Sequence, residues 1–372
     1  MKKAIIISAV NLRKGGTLTI LRDCLLYLSE SGLAEQYRII ALVHDKSLAF
    51  FPHIEYLEFP GTIKSWGRRL WCEYVSMYAL SQKLGPVHLW LSLHDITPNV
   101  IAEKRAVYCQ TSFPFLKPRW RDLLFDYKIV LFSLFTRFAY SINIQKDNFL
   151  IVQTAWLRKG FSKMFHLDEQ KFIVAPPEQN IQKGETIEMD RTDKCFTFLF
   201  PATPDCHKNF EVLCRAAQLL ESEVGKKKFK VVITINGQEN RYARWLYKKW
   251  GQIDSIDFTG FLSKQDLYNY YASSNCLIFP SRVETWGLPI SEFSIFRKPL
   301  LLADLPYAHE TAQGMDYVSF FDPDDSHALK DIMKKMVLHQ SLDLKAIPKI
   351  QRSGLYADTW KDLFLLLLSY KD

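Results

Sequence analysis

Apolar positions in this chain come in blocks of two kinds. Short, nearly continuous apolar runs at Ala4–Val10, Arg38–Val43, Ile54–Phe59, His88–Leu93, Ala106–Gln110, Phe149–Thr154 and Lys171–Ala175 predict buried strands. Between them, Thr17–Ser31, Ile63–Leu84, Trp120–Ile142 and Trp156–Phe165 have the period of helices. Gly32 ends the first helix and Gly85-Pro86 the second. Residues 178–194 are polar and without period, which predicts a linker. A second series follows. Strands are expected at Phe196–Phe200, Lys230–Asn236, Ile256–Thr259, Asn275–Phe279, Pro299–Ala303 and Val318–Phe320. Helices are expected at Asn209–Ser222, Glu239–Trp250, Lys264–Ala272, Ser326–Leu338 and Gly354–Leu368. This alternation predicts an α/β protein with two Rossmann-like domains, 1–177 and 195–353, and a terminal segment 354–372.

Composition narrows the class. A length of 372 residues suits two domains, and 48% hydrophobic with 24% charged residues excludes a disordered chain. Seven cysteines without a Cys-x-x-Cys pair read as reduced core residues of a cytosolic protein. The apolar run after Met1-Lys2-Lys3 is short and reads as a first core strand rather than a leader. No stretch reaches the roughly 18–20 apolar residues of a membrane span. The net charge of +8 sits in residues 1–180, with 23 Lys and Arg against 15 Asp and Glu; the rest of the chain has 25 of each. The basic residues are scattered and no nucleic-acid motif accompanies them, so an anionic membrane surface or acceptor is the expected partner. Residues 64–71, with Trp66, Arg68, Arg69 and Trp71, read as an exposed basic face. The aromatic stretch Trp120–Phe138 reads instead as a buried helix covering the N-terminal sheet.

The densest chemistry follows the run Cys276–Phe279. Pro280 stops that strand, and Pro289 suits the first turn of a helix. Glu284 then lies on a strand-to-helix loop and Glu292 about one turn inside the helix. Both can face the crevice at a strand's carboxyl end, where open α/β sheets bind ligands. The N–H groups of Thr285, Trp286 and Gly287 offer an anion site, and Gly287 admits close approach. Two carboxylates with donated N–H groups suit a nucleotide sugar. The alternative is a solvated glutamate and a helix-terminal charge. Lys208 opens a helix, where a cation is disfavoured unless an anion sits nearby; a local pair with Glu211 or Asp205 is the alternative. Gly15-Gly16 directly follows the first strand, and no Gly-x-Gly-x-x-Gly fingerprint is present. His94-Asp95 ends another strand, either as a site histidine or as a core histidine beside a helix cap.

The phrase Ser281-x-x-Glu284-x-x-Gly287-Leu288-Pro289-x-x-Glu292 resembles the donor signature of the retaining GT-B glycosyltransferases of family GT4. The resemblance covers nearly the whole chain and is most specific over 195–325. It implies two Rossmann-like domains facing a cleft, with the last helix crossing back to the first domain. By that resemblance Glu292 holds the donor ribose and Glu284 a donor-sugar hydroxyl. Lys208 and the Thr285–Leu288 loop face the diphosphate, and Gly15 and Gly16 lie against the donor phosphate and acceptor. His94, in Leu93-His94-Asp95-Ile96-Thr97-Pro98, faces the donor sugar. Gly237, Phe261 and Leu262 border the nucleobase. The family's usual Arg, about five residues before the Lys, is missing near Thr203; Arg158 or Arg282 is the candidate replacement. A UDP- or GDP-linked sugar is the implied substrate and a glycan or lipid-linked molecule the acceptor, with no metal or other cofactor. The implied location is cytoplasmic, at the inner face of a membrane. A nucleotide-sugar epimerase or a catalytically silent binding subunit are the competing readings.

Overall fold

All six residues of β1 (Ala4–Ala9) are buried, as a parallel strand covered on both faces requires. It lies inside a sheet with β2 (Arg38–Val43), β3 (Glu55–Glu58), β4 (Val87–Ser92), β5 (Lys104–Tyr108), β6 (Phe149–Val152) and β7 (Phe172–Val174). Their order is β7-β6-β5-β4-β1-β2-β3, with every pair parallel. The strand period of two sorts the core. Ile5, Ile7, Ile39 and Leu89 pack on one face with Leu21, Leu25 and Leu28 of the helix Gly15–Glu30. Ile6, Ile40, Leu42 and Trp90 pack on the other with Cys72 and Met77. The helix expected over Ile63–Leu84 has three parts among the described residues: Trp66–Trp71, a π turn at Cys72–Ser76, and Met77–Lys83. Strand order reverses between β1 and β4.

This computed structural model describes residues 2–62, 65–178 and 195–369. The chain divides into two units: Met1–Pro114 with Phe135–Glu178 and Arg352–Asp372, and Phe115–Leu134 with Gln179–Gln351. Of the linker expected at 178–194, only Glu178 is among the described residues. A boundary at 177 does not anticipate that Phe115–Leu134 groups with the C-terminal residues.

The second unit holds β8 (Phe196–Phe200), β9 (Phe229–Ile233), β10 (Ile256–Phe258), β11 (Cys276–Phe279), β12 (Leu300–Ala303) and β13 (Val318–Phe321). The order is β10-β9-β8-β11-β12-β13, again all parallel, with the reversal between β8 and β11. Side-chain caps start its helices: Asn240 before Arg241–Trp250, Ser263 before Lys264–Ser273 and Asp325 before Ser326–Val337. The helix Pro306–Thr311 was not expected, although it has proline in its first turn. Residues 115–134 are fixed to this unit by polar and aromatic contacts. Asp122 accepts from Arg282 at 2.8 and 2.9 Å, and Phe125 packs against Tyr242 and Trp245.

The helix Trp120–Ser141 breaks at Asp126, whose φ of −147° and ψ of 80° are not helical. The Asp126 carboxylate accepts from the N–H groups of Lys128 and Ile129, as an N-cap does. Beyond it the helix buries a mixed face of Val130, Ser133, Thr136 and Tyr140, while Tyr127, Leu131, Leu134, Phe135 and Phe138 are exposed. This corrects the expectation that the stretch covers the sheet with its apolar face.

Near the C-terminus, β14 (Leu355–Tyr356) pairs with β7 and makes the first sheet eight-stranded. The helix expected from Gly354 begins only at Trp360, because Thr359 and Asp362 cap each other's N–H groups there. Its Leu363, Phe364 and Leu367 join the core face that carries Ile5 and Leu25.

Candidate active site

In each unit some of the candidate residues lie where strand order reverses, the position at which open α/β sheets leave a crevice: Gly15, Gly16 and His94 in the first, Lys208 and Glu284 in the second. In the second unit the loops after β8 and β11 supply them. Lys208 follows β8, and its Nζ donates to Glu284 Oε1 at 2.6 Å. Both side chains are mostly buried, at 16% and 13% exposed. The ammonium also lies 5.9 Å from the Phe279 ring centroid. The local pairs foreseen for Lys208, with Asp205 or Glu211, do not form: Asp205 bonds Thr203 and Glu211 bonds the Tyr242 hydroxyl.

Gly287 leads the loop into the helix Leu288–Ser294 with φ of 91°, a conformation glycine tolerates best. A Cβ there would come within 3.1 Å of Ile290 Cδ1. Around it the loop is pinned. The Trp286 carbonyl accepts from Thr311 Oγ1, and its indole N–H donates to Ser291 Oγ at 3.2 Å. Thr285 and Trp286 are half-buried and Leu288 is exposed. Glu292, one turn on, accepts a 2.8 Å bond on Oε2 from the Tyr271 hydroxyl. Burial, and then the Glu292 charge, push the Tyr271 phenol up. Beyond β10, Gly260 has φ of 80° and Phe261 is 91% exposed, with Leu262 half-buried beside it. Gly237, beyond β9, has φ of 87°, and a Cβ there would strike Tyr247 at 2.6 Å.

The two arginines proposed for the missing cation are both committed elsewhere. Arg282 is paired with Asp122, with side chains 9% and 7% exposed, and also donates to the Cys206 carbonyl at 3.0 Å. Arg158 is 3% exposed; it lies 3.3 Å from Glu169, donates to the Ser353 carbonyl at 2.6 Å and stacks near Tyr356. Each is a structural clamp rather than a spare charge.

In the first unit, Gly15 has φ of 64°, and a Cβ on Gly15 or Gly16 would meet nothing within 4 Å. The His94 ring, by contrast, is fully buried. Its Nε2 lies 3.1 Å from Ser8 Oγ and 3.4 Å from Glu73 Oε1, and its Nδ1 lies 3.3 Å from Ser92 Oγ. Burial, helped by Arg69, holds the imidazole well below its usual range, so it is neutral. As it stands the ring offers no open face to a sugar, which corrects that expectation. Asp95 is not a helix cap either. It accepts from the N–H groups of Gln110 and Thr111 at 2.6 and 3.0 Å, and burial raises it to about 6.

Sequence reasoning missed Tyr271, Asp122 and Glu73. The first two act through partners distant in sequence. Glu73 carried one signal, a charged residue inside an otherwise amphipathic helical run.

Two parallel, doubly wound α/β units with these loops at their switch points constitute the GT-B architecture. Residues 188–352 match the family model for glycosyl transferases group 1. The chain is 20% identical over 208 residues to the O-antigen chain mannosyltransferase RfbU of Salmonella typhimurium. That alignment covers 55% of each chain, so about half the length of this curated relative is matched. Among solved structures, the apo form of the lipopolysaccharide outer core galactosyltransferase WaaB aligns over 99% of both chains, with a TM-score of 0.64 at 10% identity. Anabaena HepE in complex with UDP-glucose aligns over 90% of this chain and 89% of its own, with a TM-score of 0.58 at 13% identity.

Proposed function

We propose that this chain is a retaining glycosyltransferase that moves a sugar from a nucleotide-sugar donor to a glycan or lipid-linked acceptor, in the synthesis of a cell-surface polysaccharide or glycoconjugate. The observation that carries the reading is the Lys208–Glu284 contact at 2.6 Å, made between the loops after β8 and β11. Glu292 accepts the donor ribose. Glu284 binds a donor-sugar hydroxyl and stabilises positive charge at the anomeric carbon. Lys208 and the N–H groups near Gly287 stabilise the diphosphate as the anomeric C–O bond breaks and the electron pair leaves with it. The acceptor oxygen bonds to the anomeric carbon on the face the diphosphate leaves, and its proton passes to a phosphate oxygen. No metal is required in this scheme.

The exposed apolar face of the helix after Asp126 supports a lipid partner. From Tyr127 to Lys146 the sequence has no acidic residue and has Lys128, Arg137 and Lys146. Exposed aromatic and aliphatic side chains beside basic ones suit an anionic membrane surface. Among the described residues no helix is long and apolar enough to cross a membrane.

A thermal-shift screen against UDP, GDP, ADP and CMP and their sugar conjugates, with magnesium or with EDTA, tests the donor site. A uridine donor is the first to try, since a structure of the same fold was solved with UDP-glucose. A ligand at 100 times its Kd adds about 2.7 kcal/mol of stability. The expected result is a selective shift that EDTA leaves unchanged and Glu292→Ala removes. No shift with any nucleotide contradicts the reading.

A further inference from the structure

The Tyr271 phenol is fully buried, yet its hydroxyl reaches a carboxylate on a different helix. The contact is held from several sides. The ring packs edge-on against Phe293 at 5.8 Å and lies 6.2 Å from Phe296, both close to Glu292 in sequence. At the end of the Lys264–Ser273 helix, Lys298 Nζ donates to the carbonyls of Tyr271 at 3.2 Å and Ser274 at 2.7 Å, and also to that of Ala272. The segment that follows Glu292 is thereby tied back to the helix that carries Tyr271.

The hydroxyl occupies Oε2. Among the described residues, Glu292 Oε1 accepts no hydrogen bond. A carboxylate on a flexible stem loses rotamer entropy when it is ordered by a ligand. Here that ordering is done before a ligand arrives, and one defined oxygen stays free.

We propose that Tyr271 is a positioning residue that fixes the Glu292 carboxylate with Oε1 presented to a ribose hydroxyl, and so sets the preference of the site for ribonucleotides. The inference rests on the donor-site reading above. It deepens that reading by assigning the recognition of the sugar edge of the nucleotide to a Tyr–Glu pair rather than to Glu292 alone. Loss of the phenol hydroxyl leaves the ring packing intact, so Tyr271→Phe removes the orientation and little else. A charge-assisted hydrogen bond is the stronger kind, which sets the expected effect at about tenfold.

The test is calorimetric titration of UDP, GDP and ADP, each beside its 2′,3′-dideoxy counterpart, into the wild type, Tyr271→Phe, Glu292→Ala and the double variant. The expected result is that Tyr271→Phe weakens the bound ribonucleotide about tenfold and the dideoxynucleotide less than about threefold. In the Glu292→Ala background the same substitution should change neither. Equal weakening of both nucleotides by Tyr271→Phe, or an undiminished effect in the Glu292→Ala background, overturns the inference and leaves the donor site standing. Failure of all three ribonucleotides to bind the wild type overturns the donor site and this inference together.

Discussion

At the scale of single residues, two ion pairs of the second unit sit at different depths. Lys208 and Glu284 are mostly buried, and Arg282 and Asp122 are buried more deeply still. Removing one member of a buried pair costs about 3–5 kcal/mol, because the other charge is left uncompensated. Arg282→Met is therefore expected to lower the denaturant midpoint strongly, and adding Asp122→Asn should recover part of the loss. Additive losses in equilibrium unfolding would show that the pair is not coupled. The spacing of Glu284 and Glu292 and the place of Lys208 were legible in the sequence, because all three follow closely on strongly apolar strands, Lys208 and Glu284 in the connections and Glu292 in the helix that comes next. The partners were not legible. Asp122 lies 160 positions from Arg282, and Tyr271 lies 21 from Glu292 on another helix. For the same reason Arg282 and Arg158 read as available cations from sequence, when each already has its partners.

At the scale of elements, two helices depart from their sequence pattern. The π turn at Cys72–Ser76 brings Glu73 inside, where among the described residues neither carboxylate oxygen has a hydrogen-bond partner. Arg69 Nε and His94 Nε2 each lie 3.4 Å from Glu73 Oε1. Burial raises Glu73 to about 7, against the pull of Arg69. A carboxyl raised by folding holds its proton longer in the native state than in the unfolded one. Its contribution is fully present below the unfolded value and is lost as pH rises through about 7. Glu73→Gln should therefore gain stability relative to the wild type between pH 5 and pH 8, by a few kcal/mol at most, as read from thermal midpoints. A difference independent of pH would contradict this. The second case is the helix after Asp126. Its period was legible, but which face turns inward is settled by tertiary packing, and here Val130, Ser133, Thr136 and Tyr140 are the buried side. Substituting Leu131, Phe135 and Phe138 together by Ser should change stability little, because these side chains are exposed. It should abolish cosedimentation with phosphatidylglycerol vesicles at low salt. Retained binding would place any lipid contact elsewhere.

At the scale of the whole molecule, strand–helix alternation was enough to give two parallel α/β units, because each buried strand announces itself as an apolar run. It was not enough for the division of the chain, since Phe115–Leu134 is grouped with the second unit through contacts that no local pattern records. Nor did it give β14, two residues long and paired with β7 from the far end of the chain. The two reversals of strand order gather loops far apart in sequence. One brings the loops of Lys208 and Glu284 together; the other does the same for Gly15 and His94. Under the proposed function the first of these is a catalytic donor site. It is tested most directly by measuring sugar transfer and nucleoside diphosphate release with wild type and Glu284→Gln, using the donor identified by thermal shift and a lipid-linked glycan acceptor. Transfer by the wild type and a loss of about 100-fold or more in Glu284→Gln, with the thermal midpoint preserved, are the expected results. Equal turnover by the two proteins would contradict it.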